Sequence, residues 1–348
     1  MQNPQTLRQI IKTGRPDVPD VEVELWIHYI SQLKGCSLQS VASQALDQDD
    51  WLKARGSGIG GSEIAAILGK SPWNSARQIW LTKTGQFSES EKKPQSEQAR
   101  WGNVLETTIA DEWAKRENRN YINIPVILRD DAHPFMFANI DGFTLSEDRT
   151  QVEGILEIKT TSAFNKDAWE TGPVPEYYMC QANWYCTITG LPAFDIVCLI
   201  GGQKLVGYHF PVDQELCREM RKGAEYFWNE NVQKMIEPEA QASDMDTLKE
   251  LEHTEESIVI EDEGVENVAE MYIQLRDKIG QLSKVKDALY AQLFAALGTA
   301  SSALTLTHTI SIAKSERRNC DLLKLQQEYP EAYNECVGYT VSTSLKIK

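Results

Sequence analysis

The chain has 348 residues, 41% of them apolar and nine of them tryptophan, which allows one full core with smaller additions and excludes a disordered polypeptide. No apolar run is long enough to span a bilayer, and "MQNPQTLRQIIKTGRPD" lacks the hydrophobic stretch of a signal peptide, so a soluble, cytoplasmic protein with no membrane partner is expected. The net charge of −16 counts only mildly against a nucleic-acid partner, because residues 236–270 hold thirteen acids against the single Lys249 and the remainder of the chain carries only −4.

In chain order, residues 1–52 read as a helical extension, with apolar periodicity in "VEVELWIHYISQLKG" and again in "LQSVASQAL". A core over 53–236 follows. It carries helices at 75–84 and 98–117, then strands in "YINIPVILR", "FMFANID" and "GILEIKT". A helix over 175–189 leads to the strands "FDIVCLI" and "KLVGYHF", and a last helix spans 212–235. The order α-β-β-β-α-β predicts an α/β core on a mixed sheet flanked by helices. The stretch 237–264 is acidic and reads as a solvated linker. Residues 265–348 form a C-terminal arm: a long helix or helical hairpin, then a small β unit with a short helix between its strands. Seven scattered cysteines without C-x-x-C spacing point to reduced, mostly buried thiols and to neither zinc nor an iron–sulfur cluster.

Two stretches bear chemistry. The first, "RGSGIGGSEIAAILG", has Gly-x-Gly-x-x-Gly spacing, but no β-branched strand precedes it and no acid follows at the ribose-binding distance, so a dinucleotide site is rejected. A glycine turn delivering Ser62 to a helix start, with Arg55 seven residues earlier, suits an anion, although a simple capped helix is the plainer reading of these residues alone. The second is "FMFANIDGFTLSEDRTQVEGILEIKTT". On a strand Glu157 and Lys159 share a face, while Leu156, Ile158 and Thr160 take the other. If the intervening segment is a hairpin, Asp141 lies beside Glu157, and two converging carboxylates make an oxygen cradle for Mg²⁺ or Mn²⁺. An exposed polar strand face next to an Asp-Gly turn is the plainer alternative.

Four ordered segments, "RGSGIGGSE", "RWGNVLE", "NIDG…LEIKT" and "YYMCQANWY", resemble the YqaJ-like viral recombinase family that includes lambda exonuclease, within the PD-(D/E)XK nuclease superfamily. The likeness covers about residues 53 to 230, with Ile140 where the superfamily often has proline before the metal aspartate. It implies a restriction-endonuclease-like core. Asp141, Glu157 and the backbone carbonyl of Ile158 would hold metal, Glu106 would complete the surroundings of a second ion, and Lys159 would orient the attacking water and help deprotonate it. Gln181 and Tyr185 match the family's Q-x-x-x-Y motif, and Arg55 and Ser62 match positions that hold a 5′-terminal phosphate.

The activity implied is a Mg²⁺-dependent 5′→3′ exonuclease on double-stranded DNA ends, using two ions per site and leaving 3′ overhangs for a single-strand annealing protein in phage-type recombination. The resemblance also implies a homotrimeric ring. A structure-specific or restriction-type endonuclease is the first alternative, and a non-catalytic DNA-end or partner-binding protein the second. No G-x-S-x-G elbow or phosphate-loop G-K-[ST] is present.

Overall fold

The computed structural model describes residues 2–41, 56–86, 96–170, 174–249, 257–316, 319–338 and 347. The chain divides into two units, Met1–Leu248 and Lys249–Lys348.

The first unit begins with helices α1 (Pro4–Gly14) and α2 (Asp20–Ile30) and strand β1 (Cys36–Val41). Leu7, Ile11, Val23 and Trp26 from these helices are buried in the same core as the central residues. The reading of "LQSVASQAL" as helix is wrong where it can be checked: Leu38 to Val41 belong to β1, which pairs antiparallel with β3. The rest of that stretch lies outside the described residues. Only Cys36 to Gln39 alternate apolar and polar, the register shifts between Leu38 and Ser40, and so short a period of two was outweighed by the helical pattern around it.

After α3 (Gly61–Ile67), α4 (Ala76–Lys83) and α5 (Glu97–Glu117) come β2 (Asn120–Ile122), β3 (Val126–Asp130), β4 (Phe137–Asn139), β5 (Gly142–Leu145) and β6 (Val152–Thr161). The single expected strand "YINIPVILR" is therefore two strands. Pro125 has no N–H to give to a ladder, and the chain changes sheet there. β3 joins β1 and β4 in a three-stranded sheet, while β2 edges a five-stranded sheet of order β2-β5-β6-β7-β8. The short helix α6 (Asp167–Glu170) and α7 (Glu176–Thr189) cross over from β6 to its parallel neighbour β7 (Ala193–Ile200), and β8 (Lys204–Pro211) closes the sheet antiparallel. The central sheet is thus mixed and flanked by helices. α5 covers one face, where Ile109, Ala110 and Trp113 meet Leu156, Ile158 and Val197. α7 packs on the other side, against α3 and α8 (Gln214–Tyr226) as well as the sheet. The last expected helix continues past α8 as a π-turn, Phe227–Val232.

The start of the acidic stretch is largely exposed but is anchored to the first unit rather than free. Asp244 is wholly buried, accepts a hydrogen bond from Ser75 Oγ, and caps its own turn through Gln241 N at 2.7 Å. Glu237 pairs with Arg77 at 2.5 Å. These contacts carry the chain along α4 to α9 (Met245–Lys249).

The second unit contains one 35-residue helix, α10 (Glu263–Leu297), rather than a helical hairpin. Val268, Tyr272, Leu275, Ile279, Leu282 and Leu289 are exposed along it, and the heptad they follow puts Lys286 in the same stripe. A two-stranded hairpin of β9 (Ser302–Leu304) and β10 (Thr309–Ser311) follows, then α11 (Leu322–Glu328) and α12 (Pro330–Cys336). The helices come after the hairpin, and the closing strand expected in "VGYTVSTSLKIK" falls almost wholly outside the described residues. Among the described residues no helix is long and apolar enough to cross a membrane. Five cysteines are buried, Cys320 and Cys336 are exposed, and all seven are free.

Candidate active site

β6 is buried without interruption from Gly154 to Ile158, because α5 covers one face of the sheet and the crossover helix α7 the other. Glu157 is consequently not on an open polar face. It is 0% exposed, beneath α7. Gln181 of α7 donates Nε2–H to Glu157 Oε1 at 2.6 Å and stands 3.0 Å from the Tyr185 hydroxyl. Lys159, two residues along the strand on the same side, donates to that same Oε1. Glu157 Oε2 is buried and has no hydrogen-bond partner.

Asp141 is brought in by strand register. Gly142 pairs with Leu156, so the residue before it comes opposite Glu157. Asp141 Oδ2 accepts from the backbone N–H of Ile158 at 2.8 Å, and its carbonyl accepts from Asn123 Nδ2 at 2.6 Å. Glu106 approaches from α5, where residues 106, 109, 110 and 113 face the sheet.

The electrostatics follow from three carboxylates sharing one lysine. Burial, reinforced by the Asp141 charge, pushes the Glu157 carboxyl up to about 8, with Lys159 opposing. Burial and then Asp141 push Glu106 up to about 7. Burial also raises Asp141, against the pull of Lys159 and of the Ile158 N–H. Burial on its own would lower Lys159, but Glu157 and Asp141 outweigh it and raise the ammonium above its ordinary range. Lys159 therefore remains a cation, and its ammonium lies 5.2 Å from the centre of the Tyr178 ring.

These residues fit a hard divalent cation. All the available donors are oxygen, one of them is a buried carboxylate oxygen with nothing to bind, and the cluster has an excess of negative charge that a cation would neutralise. Among the described residues, no three His, Cys, Asp or Glu side chains already converge at ligating distance. The Lys159 ammonium stands on Glu157 instead.

The glycine-rich stretch lies against this site through packing. An added Cβ at Gly61 would come within 2.4 Å of the Tyr185 ring, and one at Gly58 within 2.5 Å of both the Phe135 carbonyl and the Phe137 ring. Ile59 makes a parallel bridge to Met136. Both glycines are thus required by close approach to the strand and helix that frame the site. Ser62 is exposed in the first turn of α3, and Arg55 lies outside the described residues.

Sequence reasoning missed two features. Tyr178 falls on the Gln181–Tyr185 face of α7, a position its i, i+3, i+7 spacing could have revealed. Glu63 caps α3 through Gly60 N at 2.8 Å and pairs with Lys83 at 2.9 Å, with the lysine side chain 1% exposed. Its signal was a glutamate three residues into a helix.

Residues 50–192 match the YqaJ-like viral recombinase domain. The chain is also 30% identical over 297 residues to a protein YqaJ of Bacillus subtilis strain 168 that is itself uncharacterised, an alignment spanning 83% of this chain and 91% of that one. This chain belongs to the YqaJ-like viral recombinase family. Among solved structures it is similar to the alkaline exonuclease LHK-Exo of Laribacter hongkongensis (16% identity, TM-score 0.42, 55% of this chain and 95% of that one). It is also similar to a phage-related exonuclease of Haemophilus somnus 129PT (13% identity, TM-score 0.35, 51% and 96%).

Proposed function

We propose that this chain is a Mg²⁺-dependent 5′→3′ exonuclease acting on double-stranded DNA ends, leaving 3′ overhangs for a single-strand annealing protein. The observation that carries the reading is the unpartnered, buried Glu157 Oε2 within a cluster of Asp141, Glu106 and Lys159. Membership of the YqaJ-like viral recombinase family agrees with it.

Asp141, Glu157, the Ile158 carbonyl and Glu106 would hold Mg²⁺, or Mn²⁺ in its place. Two such ions supply a hydroxide at neutral pH and neutralise charge on the phosphorane-like transition state. The protein's own groups do the rest. Asp141 is held by the Ile158 N–H. Glu157 is aimed by Gln181, which is itself braced on Tyr185. Lys159, on the Glu157 side of β6, would orient the attacking water, help to deprotonate it and stabilise charge on the phosphate. Water adds to phosphorus, the bond to the 3′-oxygen breaks, that oxygen takes up a proton, and a 5′-nucleotide leaves.

Arg55 and Ser62 are assigned to the 5′-terminal phosphate by their place in the family motif. The heptad stripe on α10 offers a surface for association with another helix, which supports a homo-oligomer; a trimeric ring rests on the resemblance alone. The test is hydrolysis of linear duplex DNA in Mg²⁺ against EDTA by the wild-type chain and by Lys159→Ala. A Mg²⁺-dependent activity that Lys159→Ala abolishes is expected, and equal activity in the two proteins would overturn the reading.

A further inference from the structure

Trp73 is 60% exposed, yet the loop that carries it is braced. Ser71 Oγ accepts from the backbone N–H groups of Trp73 at 3.3 Å and Asn74 at 3.2 Å. Pro72 restricts the backbone between them. On one side Ser75 and Gln78 form a capping box at the start of α4. On the other, Lys70 reaches Glu176 of α7 at 2.9 Å and Glu219 of α8 at 3.5 Å. An indole held by so many restraints with most of its surface in solvent gains little from burial, so its exposure calls for a ligand.

The direction in which it leads identifies the ligand. Trp73 meets Tyr177 edge to face with centroids 4.5 Å apart, Tyr177 meets Tyr178 at 4.3 Å, and the Lys159 ammonium lies 5.2 Å from the Tyr178 ring centre. An unbroken file of three rings therefore joins the exposed indole to the lysine of the candidate active site. In an edge-to-face contact Tyr177 covers at most one face of the indole, and 60% of Trp73 stays exposed. Trp101 and Phe164 are also exposed, but among the described residues no ring contact links either of them to Lys159.

We propose that Trp73 is a base-stacking platform that receives an unpaired nucleobase of the DNA next to the reacting phosphate. The inference rests on the nuclease reading of the site. A carboxylate cluster buried beneath α7 admits a single strand more readily than a paired duplex, so a terminal base loses its stacking partner as its strand enters. An indole face replaces that partner without regard to sequence, which suits an enzyme that must act on any DNA end.

The test uses the full-length chain with Trp73→Ala and Trp73→Phe, on 5′-phosphorylated linear duplex carrying 2-aminopurine at the terminal positions. Loss of one stacked base should raise KM about 5- to 150-fold for Trp73→Ala, with kcat much less affected, and Trp73→Phe should restore most of the difference. Quenching of 2-aminopurine on binding without metal should be present in wild type and absent in Trp73→Ala. If wild type hydrolyses DNA and Trp73→Ala matches it in KM and quenching, the proposal is overturned. A smaller oligomer in Trp73→Ala with unchanged DNA binding would also overturn it, in favour of a contact between copies of the chain. Quenching by wild type without hydrolysis would instead remove the nuclease reading and uphold the stacking site. A wild-type chain that neither quenches nor hydrolyses would remove both.

Discussion

Replacing Glu157 by glutamine tests whether the buried carboxylate is held at a cost that a cation relieves. Its folded-state value of about 8 lies far above the 4.5 of a free glutamate, so between those pH values the folded chain keeps a proton that the unfolded chain has released. The contribution of Glu157 to stability without metal is therefore fully present below pH 4.5 and is lost as pH rises through 8. At 1.36 kcal/mol per pH unit the full loss is about 5 kcal/mol, and relaxation of Lys159 with entry of water reduces it to about 2 to 5 kcal/mol. Glu106, raised to about 7, adds to the same slope over pH 4.5 to 7. Glutamine keeps an oxygen to accept from Lys159 and Gln181 but has no proton to lose. Urea denaturation in EDTA should show Glu157→Gln more stable than wild type at pH 8.5 and close to it at pH 5. Saturating Mg²⁺ should raise wild-type stability at pH 8.5, by about 2.7 kcal/mol at one hundred times Kd, and should do much less for the variant. Parallel pH profiles for the two proteins, with or without Mg²⁺, would refute the reasoning.

Three further outcomes are expected. Gly61→Val should destabilise the chain by about 1 to 3 kcal/mol through overpacking, because its Cβ meets the Tyr185 ring; an unchanged urea midpoint would show that α3 and α7 have room to part. Arg55→Ala should reduce the preference for a 5′-phosphorylated over a 5′-hydroxyl end in competition assays, whereas equal loss on both substrates would remove Arg55 from the phosphate pocket. Leu275→Asp with Leu282→Asp, both on the exposed stripe of α10, should lower the mass seen by analytical ultracentrifugation, and an unchanged mass would take α10 out of the assembly.

How far the sequence disclosed this site depends on the residue. Asp141, Glu157 and Lys159 were legible because strand alternation and one hairpin suffice to bring them together. The burial of Glu157 was not, since E-x-K reads as a polar face until the crossover helix is known to lie over it. Gln181 and Tyr185 were placed on one helical face by their spacing, while Tyr178 on that same face was passed over. The break of "YINIPVILR" at Pro125 was readable from the missing N–H alone, but which sheet each half joins depends on β1, a partner some ninety residues earlier. Asp244 lay hidden for the opposite reason: its neighbours are acidic, and only the docking of Ser75 distinguishes it from a solvated charge.

The most direct test of the central claim uses linear duplex DNA labelled separately at the 5′ and 3′ ends of each strand, beside a covalently closed circle, with Mg²⁺ or EDTA. Mg²⁺-dependent release of the 5′ labels, with the 3′ labels retained on long strands and the circle intact, is the result expected. Cutting of the circle, or release of the 3′ labels first, would contradict the account.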